Sequence, residues 1–233
     1  MKKKAMIMAV ASLGSMALIG TGFAGWVISA NAEFTANGTI TAYDVKDRRL
    51  QVTKGTWSRP VSEADTSGAI IFGAAKEADK GGITNPWFTM EGMDEEVLEN
   101  TYSFTVASGK DDTRTLSIKP TLTVYSTYVK ESDSGNVVSE EYTAATAKGA
   151  FIAPQEFVVT GHNVKLTGEA AINCSVKIAF KWGTKFGSVN PYVYYNGAGK
   201  NATDNGKDAI DDLAVIEKLN NQKFVLSIEV SAA

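Results

Sequence analysis

The run Ile172-Asn173-Cys174-Ser175-Val176-Lys177-Ile178-Ala179-Phe180-Lys181-Trp182 decides the fold class of this chain. Ile172, Cys174, Val176, Ile178, Phe180 and Trp182 take every second position, with Asn173, Ser175 and the lysines 177 and 181 between them and Ala179 neutral. Successive side chains of a strand point to opposite faces, so this period of two predicts a strand with one buried face. The C-terminal segment repeats the pattern, with Phe224, Leu226, Ile228 and Val230 alternating against Lys223, Val225, Ser227 and Glu229. A strand there is expected to close the fold.

Outward from these two runs, further strands are expected over 39–45, 49–53, 69–72, 101–107, 113–130, 137–142, 156–160, 164–167 and 191–195. Within the longest, Leu116, Ile118, Leu122 and Val124 alternate with Thr115, Ser117, Thr121 and Thr123. Pro120 lies between them and has no amide to donate, so the strand is bent, bulged or at an edge there. Asp133-Ser134-Gly135-Asn136 reads as a hairpin turn, because Gly135 supplies the positive φ such turns use. Many short strands with Gly, Asn and Asp turns predict an all-β fold, a single antiparallel, jelly-roll-like β-sandwich with one or two short helices. The helical exceptions are 208–219, whose acidic first turn and Lys218 suit the helix dipole, and a further turn or two over 94–99. Ile210, Leu213 and Ile216 recur at spacing three, which predicts that the longer helix packs across one end of the sandwich.

The start of the chain has a different character. Lys2, Lys3 and Lys4 precede an uncharged stretch over 5–32, the pattern of an export signal. The stretch is also long enough to span a bilayer as a helix. Gly14, Gly20, Gly22 and Gly25 break it, and Ala30 and Ala32 form an A-x-A site before Glu33. A removable signal peptide over 1–32 is therefore expected, with 33–233 as the sandwich domain, and any membrane attachment would run through an uncleaved leader. Removal takes three of the 23 basic residues and none of the 26 acidic ones, moving the net charge from −3 to −6. An acidic chain without a basic run is a poor partner for nucleic acid, where phosphate contacts supply most of the affinity.

The inventory of reactive side chains is sparse. One Cys and one His among 233 residues exclude an intramolecular disulfide, a Cys/His zinc cluster and a Ser-His-Asp set with a histidine to spare. HExxH, GxSxG, the P-loop and GxGxxG before a helix are absent. Two carboxylates suffice for glycoside hydrolysis, but no spacing selects a pair, and no catalytic activity is expected. His162, in Thr160-Gly161-His162-Asn163, reads as a turn residue, and Cys174 as a small core hydrophobe. Asp204-Asn205-Gly206-Lys207-Asp208 with Asp211 and Asp212 lacks the EF-hand spacing and reads as a solvated turn and helix start. No cofactor is expected, with calcium in an irregular acidic loop as the weaker alternative. Trp182, Phe186, Tyr192, Tyr194 and Tyr195 surround a Gly/Asn-rich stretch over 183–206. Such rings stack on sugar faces or form protein contacts, so Tyr192, Tyr194 and Tyr195 are candidates for a carbohydrate-binding or adhesion surface. Alternation nevertheless sends Trp182 inward, together with at least one of Tyr194 and Tyr195, and ordinary packing is the preferred reading.

Residues 1–40 carry a further pattern: Met1-Lys2-Lys3-Lys4, Val10-Ala11-Ser12, Gly20-Thr21-Gly22-Phe23-Ala24-Gly25-Trp26 and, a dozen residues on, Asn37-Gly38-Thr39-Ile40. This resembles the start of the TasA and camelysin group of exported proteins. The resemblance implies processing near Gly25-Trp26 by a SipW-type signal peptidase, in place of cleavage after Ala32. It also implies a secreted, jelly-roll-like sandwich that self-associates into cell-surface or biofilm-matrix fibres, the N-terminal segment of one subunit adding a strand to the next. Either Trp26, Ile28 and Ala30 or Phe34, Ala36 and Ile40 alternate as such a donor strand requires. Camelysin-like members have been described as metalloproteases, but the residues that would support this are missing here.

Overall fold

The computed structural model describes residues 39–46, 49–74, 83, 85–109, 111–126, 140–146, 150–168, 170–197 and 202–233. In chain order the elements are β1 (Thr39–Lys46), β2 (Leu50–Trp57), β3 (Gly68–Ala69), β4 (Glu99–Ser108), β5 (Leu116–Ser126), α1 (Glu140–Thr146), β6 (Glu156–Thr160), β7 (Ile172–Ala179), α2 (Pro191–Asn196), α3 (Ala202–Asn220) and β8 (Gln222–Ala232), with a 3-10 turn at Thr184–Phe186 before α2. The strands form two four-stranded sheets, ordered β3-β1-β8-β5 and β2-β4-β7-β6. The fold is an all-β sandwich, as the alternating runs predict.

The inner faces are those the alternation selects. Cys174, Val176, Ile178, Phe180 and Trp182 are buried from the β7 side, and Phe224, Leu226, Ile228 and Val230 from β8. The two sheets meet through rings: Phe180 lies 5.4 Å from Phe224, and Phe72 lies 5.5 Å from Phe180 and 6.1 Å from Phe224. Edge-on and tilted contacts suit the ring quadrupole, and burying each side chain contributes on the order of 2–3 kcal/mol.

One pairing departs from the antiparallel rule. β1 runs parallel to β8 over its whole length, from Thr39 opposite Lys223 to Lys46 opposite Val230. Parallel neighbours cannot be joined by a tight turn, and these two strands belong to opposite ends of the chain, so no short connection has to join them.

Pro120 sits in an edge strand, β5, which resolves the alternatives of bend, bulge and edge. On the open side of β5 the amide of Leu116 donates to the Val164 carbonyl at 2.8 Å and that of Ile118 to His162 Nδ1 at 3.0 Å. Pro120 comes next on that side and has no N–H to leave unpaired.

Several expected elements take another form. The stretch 191–195 is helix α2, and 137–142 overlaps helix α1. The stretch 164–167 contributes only an isolated bridge, Lys165 opposite Thr115. No helical turn forms over 94–99; Val97 bridges Ile71 and Glu99 opens β4. Helix α3 begins at Ala202, six residues before the expected start. Its inward stripe is Ala209, Asp212, Ile216 and Leu219, whereas Ile210 is 70% exposed. Ile216 is buried and Leu213 packs against the core as the spacing predicts, while Asp212, with partners described below, takes the inward place expected of Ile210. The Asp133 to Asn136 turn lies outside the described residues.

Candidate functional site

The processing positions Gly25, Trp26, Ala30 and Ala32 and the donor positions Phe34 and Ala36 lie outside the described residues. Ile40 does not act as a donor residue in this structure. It is fully buried in β1, in register with Phe224 of β8 and Gly68 of β3, because its phase along β1 points it between the sheets of its own subunit. The β3 partner covers only Thr39 and Ile40. From Thr41 to Lys46, no strand among the described residues pairs with that edge of β1.

The aromatic cluster forms where β7 leaves the sheet. Asn190 starts α2 by accepting the Tyr192 amide on its side-chain oxygen at 2.8 Å, and Pro191 stands at the first helical position. Both are standard helix-start chemistry, since the cap fills an orphan donor and proline has none to lose. The helix turns Tyr192 and Tyr195, three apart, into the core, where they are 6% and 1% exposed. Neither can act as a surface contact, which corrects that expectation. Tyr194 is half-buried, 5.0 Å from Tyr195 and 5.8 Å from Phe186. Trp182 packs edge-on to Phe186 and Phe72, inward as its alternation predicts.

Polar groups bind this cluster together. The Tyr195 hydroxyl donates to Asp212 Oδ2, and Lys185 Nζ stands 3.4 Å from Asp212 Oδ1. Burial, and then the hydrogen bond to Asp212, push the tyrosine pKa above its ordinary value. Glu96 accepts from Trp182 Nε1 at 2.7 Å and from Asn190 Nδ2, which also donates to the Gly73 carbonyl at 2.8 Å. Two more asparagines, each the last residue of its helix, clamp a distant backbone. Asn196 takes the Phe88 amide at 2.9 Å and donates to its carbonyl at 2.7 Å. Asn220 does the same to Phe72, at 2.8 Å each. A side-chain amide offers one acceptor and two donors, so it satisfies a peptide group as a neighbouring strand would. Trp87 Nε1 adds a bond to the Tyr195 carbonyl at 2.8 Å. The Asp212 and Glu96 carboxylates thus hold the fold together through donors of their own chain.

His162 is an exposed turn residue whose Nδ1 fills the Ile118 edge donor. Cys174 is 3% exposed, and burial pushes its thiol up to about 11, away from reactivity. Asp204, Asn205 and Gly206 lie in the first turns of α3 and not in a loop, which corrects the turn reading. Lys207 pairs with Asp211, and that hydrogen bond raises the lysine pKa. Among the described residues no three His, Cys, Asp or Glu side chains gather as a metal site, and no helix is long and apolar enough to cross a membrane.

Sequence reasoning missed Trp87, Glu96, Lys185, Asn190, Asn196 and Asn220. Only Asn190-Pro191 carried a local signal, a cap followed by a first-turn proline. No family model, curated protein or solved structure matches the chain.

Proposed function

We propose that this protein is a secreted structural component of the cell surface or biofilm matrix, that it is not an enzyme, and that it polymerises by lending its N-terminal segment as a strand to the next copy. The observation that carries the reading is the open edge of β1. The first described strand opens at Thr39, three residues after Ala36 of the alternating Phe34 and Ala36, and from Thr41 to Lys46 β1 has backbone groups toward an edge with no described strand. Strand addition to an exposed edge takes affinity from main-chain hydrogen bonds and specificity from alternate side chains. A head-to-tail contact that does not close on itself gives a filament. The export pattern and the resemblance of residues 1–40 to the TasA and camelysin group support the same reading. A carbohydrate-binding role has less support, because Tyr194 alone of the three candidate rings has a face near solvent.

Mass spectrometry of the secreted chain tests the premise. A mature terminus at Trp26 or Glu33 leaves a donor segment in place. A chain retaining Met1 would make the leader an anchor and contradict secretion.

A further inference from the structure

The second sheet ends on β6, whose sequence is Glu156-Phe157-Val158-Val159-Thr160. The phase of its hydrogen bonds follows from β7. The Phe180 amide bonds Leu98 on the β4 side, while the Lys181 carbonyl accepts from Ala153 on the β6 side. Ser175, Lys177 and Ala179 share the parity of Lys181, so they turn their backbone groups toward β6, opposite Thr160, Val158 and Glu156. The amides and carbonyls of Phe157 and Val159 therefore point out along an edge where no described strand lies.

Side chains on this strand divide accordingly. Phe157 and Val159 lean into the core, whereas Val158 stands 60% exposed at the midpoint. Of the large hydrophobic side chains exposed among the described residues, Val158 is the one that lies in a strand; Val164, Val189 and Ile210 do not.

The other end strands of the two sheets, β5, β2 and β3, carry devices that discourage pairing. β5 has Pro120, His162 and the Val164 carbonyl. β2 has a register shift between Thr53 and Thr56. β3 is covered by the bonds Ala69 to Arg59 and Val61 to Ser67. Among the described residues β6 has none of these, and its single charge, Glu156, is paired with Lys181 at 2.7 Å.

We infer that β6 is a self-pairing edge, taking the β6 of a second copy of this chain in antiparallel register about a two-fold axis at Val158. In that register Phe157 of each copy meets Val159 of the other as a pair that exchanges both hydrogen bonds. Val158 meets Val158 as the close pair between them, with Cα atoms about 4.5 Å apart. Glu156 falls opposite Thr160, so no like charges are opposed. The two second sheets become one continuous sheet. A five-residue edge buries far less than the roughly 1,200 Å² of a standard stable interface, so the contact is weak between free copies and gains strength between copies held in arrays. It is separate from the N-terminal contact and links polymers side by side.

Register-specific cross-linking of the purified mature chain tests this. Cys174 is buried, so an introduced surface cysteine is the reactive one. Cα atoms about 4.5 Å apart suit a disulfide, so Val158→Cys is expected to form covalent dimers at least tenfold faster than Thr160→Cys. Thr160 of the two copies would lie about 13 Å apart along the strands. In the unsubstituted chain, exchange of the Phe157 and Val159 amides is expected to slow as concentration rises. Equal rates for the two cysteine variants, no Val158→Cys dimer, or concentration-independent exchange would overturn the inference. These outcomes do not depend on whether filaments form, so failure here is distinguishable from failure of N-terminal strand donation.

Discussion

The Tyr195 hydroxyl donates to the carboxylate of Asp212, seventeen residues on, and ties α2 to α3 at a point where both side chains are buried. A buried carboxylate that loses a donor keeps its desolvation cost without compensation, so Tyr195→Phe is expected to destabilise by about 1–3 kcal/mol. Urea unfolding measures this. Tyr195→Phe combined with Asp212→Leu is expected to cost less than the sum of the single changes, because the carboxylate that the first change strands is then gone. Strict additivity would show that the two side chains are energetically independent.

The asparagine clamps predict a second signature. Asn220→Ala leaves both the amide and the carbonyl of Phe72 without their partner, at a cost of about 1–3 kcal/mol. Asn220→Asp keeps the acceptor for the amide but loses the donor to the carbonyl, placing carboxylate and carbonyl oxygens face to face. Both variants are expected to lower the unfolding midpoint, and Asn220→Ala to speed hydrogen exchange at the Phe72 amide. Unchanged exchange there would argue against the clamp.

Gly161 has φ +86°, and a Cβ on it would stand 2.7 Å from Cys174 Sγ. Gly161→Ala combines left-handed backbone strain with a clash, each costing on the order of 1–3 kcal/mol. Adding Cys174→Ala removes the Sγ contact, the closest of the three with Cys174, and leaves the strain, so it should recover part of the loss. With its thiol pushed up to about 11, Cys174 should react with a disulfide reagent at pH 8 only after unfolding. Rapid labelling of the folded protein would contradict its burial.

Tyr142 donates to Gln155 at 2.8 Å, and burial pushes its pKa from 10.0 up to about 12. The folded chain therefore holds this proton more tightly than the unfolded chain does. The resulting stabilisation is complete below pH 10 and lost as pH rises from about 10 to about 12. Urea stability measured across that window should fall more steeply in the unsubstituted protein than in Tyr142→Phe. Parallel curves would contradict it.

The parts of the fold legible in the sequence are those set by side-chain alternation. β7 and β8 each turn their alternating hydrophobic residues to the core, and a run of two-residue period shows that without knowledge of partners, although Val225 on the other face of β8 is buried as well. Pro120 likewise announced an irregularity through its missing donor, as a bend, a bulge or an edge, and the structure makes it an edge. The stretch Pro191-Tyr192-Val193-Tyr194-Tyr195 misled because its aromatic and β-branched residues favour strands, while the helix start was written in Asn190-Pro191 just before it. On helix α3 the spacing correctly turned Ile216 and Leu213 to the core but set Ile210 there as well, since Ile210 outranks Asp212 on hydrophobicity alone. Asp212 goes inward because Tyr195 and Lys185 receive it, and neither is visible from the helix itself. The clamps by Asn196 and Asn220 join positions 108 and 148 residues apart, beyond the reach of any local pattern. Of the candidate site, the alternation placed Trp182 in the core and at least one of Tyr194 and Tyr195, but all three tyrosines stood as surface candidates, and the helix in place of a strand buries Tyr192 and Tyr195 together.

The central claim is polymerisation through the N-terminal segment, and electron microscopy of the purified mature chain tests it most directly. The account predicts unbranched filaments, and their loss when Phe34→Lys and Ala36→Lys place charges on the alternating face of the donor segment. A mature chain that keeps residues 33–38 intact and stays monomeric at high concentration would contradict it.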